Sequence, residues 1–213
     1  HLMNQNLRTT DSPTFVNVNV DGYVRSDQGL ISNDNARLFA PEGASYQTQT
    51  PSVTGAIRIA LPTSKFKSNT MMRMTIKVYQ YNTGQSLTFN VGGYNYSDAA
   101  GTWYNVFAEQ VSDNNGNIFN VRFGQDGSRQ IIYIGETGST WTYPQVHVTD
   151  VQLGYSSYDT NWTTGWLVDF VTSFATISQT RGASITLSQN NSPYAYGMNQ
   201  YVNTTSSPTF ATV

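Results

Sequence analysis

The 213-residue chain has the length of one domain, and its composition excludes several kinds of partner and chemistry. Charged residues make up only 11% of the chain and the net charge is −2, so no basic stripe is available to bind nucleic acid. The chain contains no cysteine, which excludes disulfides, thiolate nucleophiles and cysteine-ligated metals. No apolar run reaches the roughly 18 residues of a transmembrane helix, so we expect no membrane insertion.

One short segment occurs near both ends of the chain. Residues 3–18 recur as residues 198–213, with ten of the sixteen aligned positions identical. A unit repeated on either side of a globular stretch is typical of a rod of stacked repeats into which a domain has been inserted. We therefore predict repeat units at residues 1–20 and 191–213, a lead-in with short strands at 21–54, and a folded domain at 55–190.

The pattern between the repeats predicts short strands separated by turns. Turn signals at 33–35 and 41–43 interrupt the lead-in, and apolar and polar residues then alternate with a period of two, most clearly from Met72 to Val78. In chain order, the main predicted strands are 56–61, 72–78, 87–91, 103–111, 119–123, 130–135, 145–153, 166–175 and 183–188. No apolar period of 3.6 residues persists, so we expect an all-β fold, an antiparallel β-sandwich of jelly-roll type with extended segments at both ends.

Few side chains in the sequence suit catalysis or metal binding. His147 lies in a predicted strand, and the chain offers no cysteine and no spaced Ser/His/Asp set to act with it. Because phosphate-binding and calcium-binding loops are also missing, we expect no catalytic residue, no cofactor and no metal. Glycoside hydrolysis stays open as an alternative, since two facing carboxylates suffice for it. The strand-borne candidates are Glu109, Glu136, Asp150 and Asp169.

Aromatic residues, 13% of the chain, crowd the predicted loops. Sugars rest their flat C–H faces on aromatic rings, and neighbouring amides or carboxylates bind their hydroxyls. The predicted carbohydrate-binding residues, which Gly, Ser, Thr and Asn surround, are Trp141, Tyr143, Tyr155, Tyr158 and Trp162. The wider aromatic group also contains Tyr94, Tyr96, Trp103 and Tyr104. The alternative is that these rings fill the core or a subunit interface, as we expect for Trp166, which is in phase with Val168 and Phe170.

The terminal repeat resembles a unit found along the shafts of bacteriophage tail fibres. Residues 4–15 read NQNLRTTDSPTF, which matches the shaft pattern NQ-x-x-x-T-T-x-SPTF, and the resemblance covers about 30 of the 213 residues. It implies an extracellular virion fibre in which this segment continues into other fibre segments, forms a homotrimer, and meets a host cell-surface glycan or protein. No part of the sequence resembles an endosialidase-type chaperone.

A trimer also agrees with the apolar residues of the repeats. Phe15, Val16, Val18 and Phe210 have too few neighbours in one chain to be buried, whereas three chains could bury them at roughly 1.5–3 kcal/mol each. We therefore expect a non-enzymatic structural and receptor-binding module of a trimeric tail fibre that contacts host carbohydrate. The alternatives are a pure structural spacer, a polysaccharide-degrading hydrolase of tailspike type, and a bacterial adhesin module.

Overall fold

Strands and turns make up the described part of the chain. The structure is a computed structural model and describes residues 30–32, 35–38, 40–81, 85–112, 118–155, 159–182 and 184–185. These residues contain two short 3-10 turns and no α-helix. The strands are β1 (Leu30–Ser32), β2 (Asn35–Leu38), β3 (Ser45–Gln47), β4 (Val53–Thr54), β5 (Ala56–Ala60), β6 (Thr70–Gln80), β7 (Gln85–Asn95), β8 (Trp103–Ser112), β9 (Asn120–Gln125), β10 (Gln130–Ile134), β11 (Thr140–Trp141), β12 (Gln145–Gly154), β13 (Leu167–Val171), β14 (Thr176–Gly182) and β15 (Ser184–Ile185). The predicted all-β class is confirmed.

The strands form a large sheet, a small sheet and a two-stranded ladder. The large, eight-stranded sheet has the order β1-β2-β12-β6-β7-β8-β15, and β3 also pairs with β12. The small sheet has the order β13-β5-β10-β9-β14, and β4 pairs with β11. Among the described strands the pairing is antiparallel except between β15 and β8. The jelly-roll order stays a prediction, and the extended terminal segments lie outside the described residues.

The two main sheets pack face to face around one hydrophobic core. Alternate residues of β6 point inward, and these buried side chains are Met72, Met74, Ile76 and Val78. Ile57 and Ile59 of the small sheet belong to the same core. Trp103 connects the sheets, because its ring N–H donates to the carbonyl oxygen of Gly124 at 2.9 Å. The fold is thus an antiparallel β-sandwich, held mainly by burial that contributes roughly 1.5–3 kcal/mol for each large apolar side chain.

The large sheet includes strands from the predicted lead-in. β2 and β3 both pair with β12, and Leu38 and Ala44 are buried in the core. The sandwich therefore extends on the N-terminal side beyond the predicted boundary at residue 55.

The outer face of the small sheet is covered by the chain itself. β13 and β14 lie at opposite edges of this sheet and are joined by residues 172–175. In this link, Phe174 packs edge-on against Tyr133 at 5.1 Å between ring centroids, and the N–H of Ala175 donates to the Tyr133 hydroxyl at 3.2 Å. The guanidinium of Arg122 lies 4.7 Å from the Phe174 ring. These contacts remove a second apolar cluster from water, made of Ala56, Ala60, Ile131 and Tyr133.

The outer face of the large sheet, in contrast, is open. The outward residues Met71, Arg73, Lys77 and Tyr79 of β6 are all exposed. Bulges interrupt β8 and β12, on either side of the β6–β7 hairpin, and Asn105 and Asp150 take left-handed backbone angles there, with φ of 49° and 52°. Since bulges redirect neighbouring side chains, the part of the open face near the start of β6 differs in shape from a regular sheet.

Candidate functional site

Two of the predicted ligand-binding residues lie in the core. Trp141 is 1% exposed, stacks on Phe119 with centroids 5.2 Å apart, and donates its ring N–H to the carbonyl oxygen of Gly55 at 2.8 Å. Trp162 is 2% exposed, and the ammonium nitrogen of Lys65 lies 5.7 Å from its ring centroid. A buried ring offers no face to a ligand arriving from solvent. The prediction for Trp141 and Trp162 is therefore corrected: both side chains stabilise the sandwich. Trp166 is buried as predicted.

The other predicted residues do not come together. Tyr155 is 74% exposed and follows β12, beside the start of β6, whereas Tyr143 is half buried and precedes β12, beside the end of β6. From Met71 to Tyr79, β6 spans about 27 Å at the usual rise of a strand. Tyr158 lies outside the described residues. The five predicted residues therefore do not form one site.

Four tyrosines form a connected group of rings at the Tyr155 end, which we call the tyrosine patch: Tyr94, Tyr96, Tyr104 and Tyr155. The ring centroid of Tyr94 lies 5.8 Å from Tyr96 and 5.6 Å from Tyr155, and Tyr96 lies 5.6 Å from Tyr104. Tyr94 and Tyr104 face each other across β7 and β8. Three of the four rings are exposed, so the group presents an aromatic surface to solvent.

The tyrosine patch borders a cleft of about 330 Å³. The cleft is lined by Met71, Met72, Gly93, Tyr94, Asn105, Phe107 and Tyr155. Phe107 lies over Gly92, where a side-chain Cβ would come within 2.6 Å of the ring. Only glycine at this position lets the Phe107 ring pack against the backbone of β7. The lining is therefore mainly apolar, and its polar side-chain groups belong to two tyrosines and one asparagine.

Two polar side chains hold the tyrosine rings in place. Asn69 accepts a hydrogen bond from the Tyr94 hydroxyl at 3.2 Å and another from the N–H of Ser97 at 2.9 Å. Asp98 accepts from the Tyr104 hydroxyl at 3.1 Å and from the N–H of Thr102 at 2.9 Å. These bonds order the rings before any ligand arrives, which reduces the entropy cost of binding.

The surroundings of the patch shift the pKa values of Asp98, Tyr104 and Tyr94. The N–H of Thr102 is the main cause that lowers the pKa of Asp98. The hydrogen bond to Asp98 raises the pKa of Tyr104, and desolvation raises the pKa of Tyr94. At neutral pH the carboxyl group is therefore charged while these two phenols stay neutral and keep their donor hydrogens.

A second cleft lies at the opposite end of the same sheet face. It has a volume of about 350 Å³ and is lined by Thr48, Gln49, Tyr79, Tyr81, Tyr143 and Gln145. The rings of Tyr81 and Tyr143 meet edge-on at 5.8 Å. Tyr143 thus belongs to this second cleft, whereas Tyr155 belongs to the tyrosine patch.

Two of the acids considered for hydrolysis are bound to arginines. Asp169 accepts two hydrogen bonds from Arg58 at 2.7 and 2.5 Å, and Glu136 accepts two from Arg122 at 2.6 and 2.7 Å. Arg122 is the main cause that lowers the pKa of Glu136. A general acid in glycoside hydrolysis needs the opposite shift, so this arrangement does not favour Glu136 in that role.

The other two acids lie on strands that are not neighbours. Glu109 is on β8 and Asp150 is in the bulge of β12, with β6 and β7 between them. Three strand spacings correspond to about 14 Å, which exceeds the roughly 5–9.5 Å between the carboxyl groups of known glycosidases. This placement does not favour a catalytic pair of Glu109 and Asp150.

Neither a metal site nor a membrane-spanning helix is found in the described ranges. No three His, Cys, Asp or Glu side chains there are grouped so that they could hold a metal ion. No helix in those ranges is long and apolar enough to cross a membrane. His147 is exposed on the open sheet face, as its alternation with Val146 and Val148 predicts.

Comparison with known proteins gives no match: no family model, no curated protein and no solved structure is similar to the chain. A fold alone does not define a function, which depends on the geometry and chemistry of the site.

Proposed function

We propose that the chain is a non-enzymatic adhesion module whose β-sandwich binds carbohydrate at the tyrosine patch. The observation that carries the proposal is the run of four tyrosine rings, 5.6–5.8 Å apart and three of them exposed, beside an open cleft of about 330 Å³. Large apolar groups gathered on a surface mark interaction sites more often than isolated ones do.

The chemistry of the patch suits a sugar better than a purely apolar ligand. Tyr155 and Met71 offer exposed apolar surface on which a pyranose ring can rest. The hydroxyl hydrogens of Tyr94 and Tyr104 are donated to Asn69 and Asp98, so their oxygens can accept hydrogen bonds from sugar hydroxyls. The amide of Asn105, which lines the cleft, can both donate and accept. Because Asn69 and Asp98 already orient two of the rings, little order has to be imposed on binding.

We place this module in a homotrimeric, extracellular tail fibre of a virus, where it meets a host cell-surface glycan. The support for this part is the terminal repeat at residues 3–18 and 198–213 and its resemblance to tail-fibre shafts. A pure spacer is the competing role, and it would need no exposed aromatic surface.

A glycan array, followed by titration of the best ligand, tests the proposal. Tyr155→Ala should weaken binding by about tenfold or more, because Tyr155 is the most exposed ring of the patch and lines the cleft, and an aromatic contact residue of this kind contributes roughly 1–2 kcal/mol or more. Leu167→Ala is the matched control, since it truncates an exposed apolar side chain on the small sheet. Equal loss in both variants, or an array without a ligand, would contradict carbohydrate binding at this patch and favour the spacer.

A further inference from the structure

The open face of the large sheet carries basic side chains between its two clefts. Arg73 and Lys77 point outward from β6, which runs from the tyrosine patch to the second cleft, and His147 pairs with Lys77 in register on β12. Both clefts and this basic strip thus lie along one strand, within about 27 Å.

The two cations have no ion-pair partner among the described residues. Arg73 and Lys77 are exposed and form no ion pair with the part of the chain that the structure describes. Glu109 lies two strands away from β6, at about 10 Å. Asp150, in the bulge of β12, already has an interaction of its own. Arg73 and Lys77 therefore present two positive charges to solvent on this face, with Asp150 on the neighbouring strand, although the whole chain has a net charge of −2.

An extended anionic polysaccharide fits this arrangement better than nucleic acid or a second copy of the chain. Nucleic acid would need many more cations than this strip provides, because its affinity comes from neutralising several phosphates. A second copy of the chain docked face to face would bring like charges together across a two-fold axis, which is unfavourable. An acidic polysaccharide can stack on the rings at each end and place its carboxylates beside Arg73 and Lys77.

We propose that the ligand of the tyrosine patch is an acidic polysaccharide that extends along β6 to the second cleft. This inference rests on the proposed function and names its substrate class. The tyrosine patch binds one part of the ligand, Tyr81 and Tyr143 bind another, and Arg73 and Lys77 bind the carboxylates between them.

The test uses alginate, polygalacturonate, hyaluronate and polysialate, each compared with its carboxyl-reduced form, in titrations with the full chain. At least one acidic form should bind, and its reduced form should bind about tenfold more weakly. Arg73→Gln combined with Lys77→Gln should cause a similar loss, and the wild-type affinity should fall as salt is added. Tyr81→Ala should weaken binding of dodecasaccharides but leave tetrasaccharides bound at the patch unaffected.

The control removes the same charge from the small sheet, by Arg129→Gln with Arg181→Gln, and should leave the affinity unchanged. The inference is overturned if none of the four acids binds, if reduced and acidic forms bind equally, if the Arg73 and Lys77 variant keeps full affinity, or if Tyr81→Ala does not affect long chains. If neutral glycans bind and the binding depends on Tyr155, the inference of an acidic ligand is wrong but the proposed carbohydrate binding stands. Absence of binding to any glycan would overturn the proposed function as well.

Discussion

At the scale of single residues, the aromatic side chains divide into two groups by the partners of their polar atoms. The ring N–H groups of Trp103 and Trp141 are buried and donate to the carbonyl oxygens of Gly124 and Gly55. Such tryptophans satisfy their polar atom inside the protein, so they can be buried without the cost of an unpaired donor. The tyrosine patch lies at the surface, where its hydroxyls can reach both protein and solvent.

Truncation of Trp141 and of Tyr155 tests this grouping of the aromatic residues into core and surface residues. Trp141→Ala should lower the free energy of unfolding by about 3–5 kcal/mol, because it removes a buried ring, its stacking on Phe119 and its hydrogen bond to Gly55. Tyr155→Ala should change it by less than about 0.5 kcal/mol, since its ring is exposed. Urea unfolding followed by tryptophan fluorescence and by circular dichroism measures both. Similar values for the two variants would contradict the assignment of Trp141 to the core.

The sequence could predict that aromatic residues matter but not which of them face solvent. Gly, Ser, Thr and Asn around Trp141 and Trp162 indicate loops, yet Trp141 lies in β11, Trp162 lies in a 3-10 turn, and both rings are buried. Burial of a residue outside the long strands depends on tertiary contacts that no local pattern encodes. Tyr94 and Tyr96 did carry a usable signal, because residues two apart on a strand share one face, and Tyr104 joins them through the β7–β8 register.

At the scale of elements, alternation predicts the strands with one buried face and misses polar edge strands. The predicted strands 72–78 and 145–153 are confirmed as β6 and β12, whose residues alternate between core and solvent. The predicted strand 166–175 ends early, at Val171, and β14 (Thr176–Gly182) was not predicted. No residue of β14 is buried, so the apolar period that marks a strand is missing there.

The link between β13 and β14 supplies a prediction at this scale. Phe174→Ala should lower the free energy of unfolding by about 1–3 kcal/mol, less than a fully buried ring would, because the side chain is half buried against Tyr133. The change also uncovers Ile131 on the outer face of the small sheet. Chemical denaturation measures the loss, with Thr172→Ala, an exposed residue of the same link, as the control. An unchanged stability in Phe174→Ala would show that the link does not protect this face.

At the scale of the whole molecule, the two outer faces of the sandwich differ in what covers them. The small sheet is covered by its own β13–β14 link, whereas the large sheet leaves β6 and its neighbours open. Both clefts and the basic strip lie on the open face. The adhesion role that we propose would need one face free for a ligand, and this asymmetry leaves the large sheet free.

The proposed trimeric fibre gives the last prediction, which concerns the oligomeric state. If the terminal repeats stack in threes, sedimentation equilibrium of the full chain should show a species of three times the monomer mass of 23.6 kDa. Phe15→Ser combined with Phe210→Ser should shift the equilibrium towards monomer, because each apolar side chain buried between chains contributes roughly 1.5–3 kcal/mol and three chains lose two of them each. Tyr155→Ser, on the open face of the sandwich, should leave the trimer intact. A chain that stays monomeric at high concentration would contradict the shaft interpretation. Glycan binding at the tyrosine patch is independent of that result, because all four tyrosines of the patch belong to one chain.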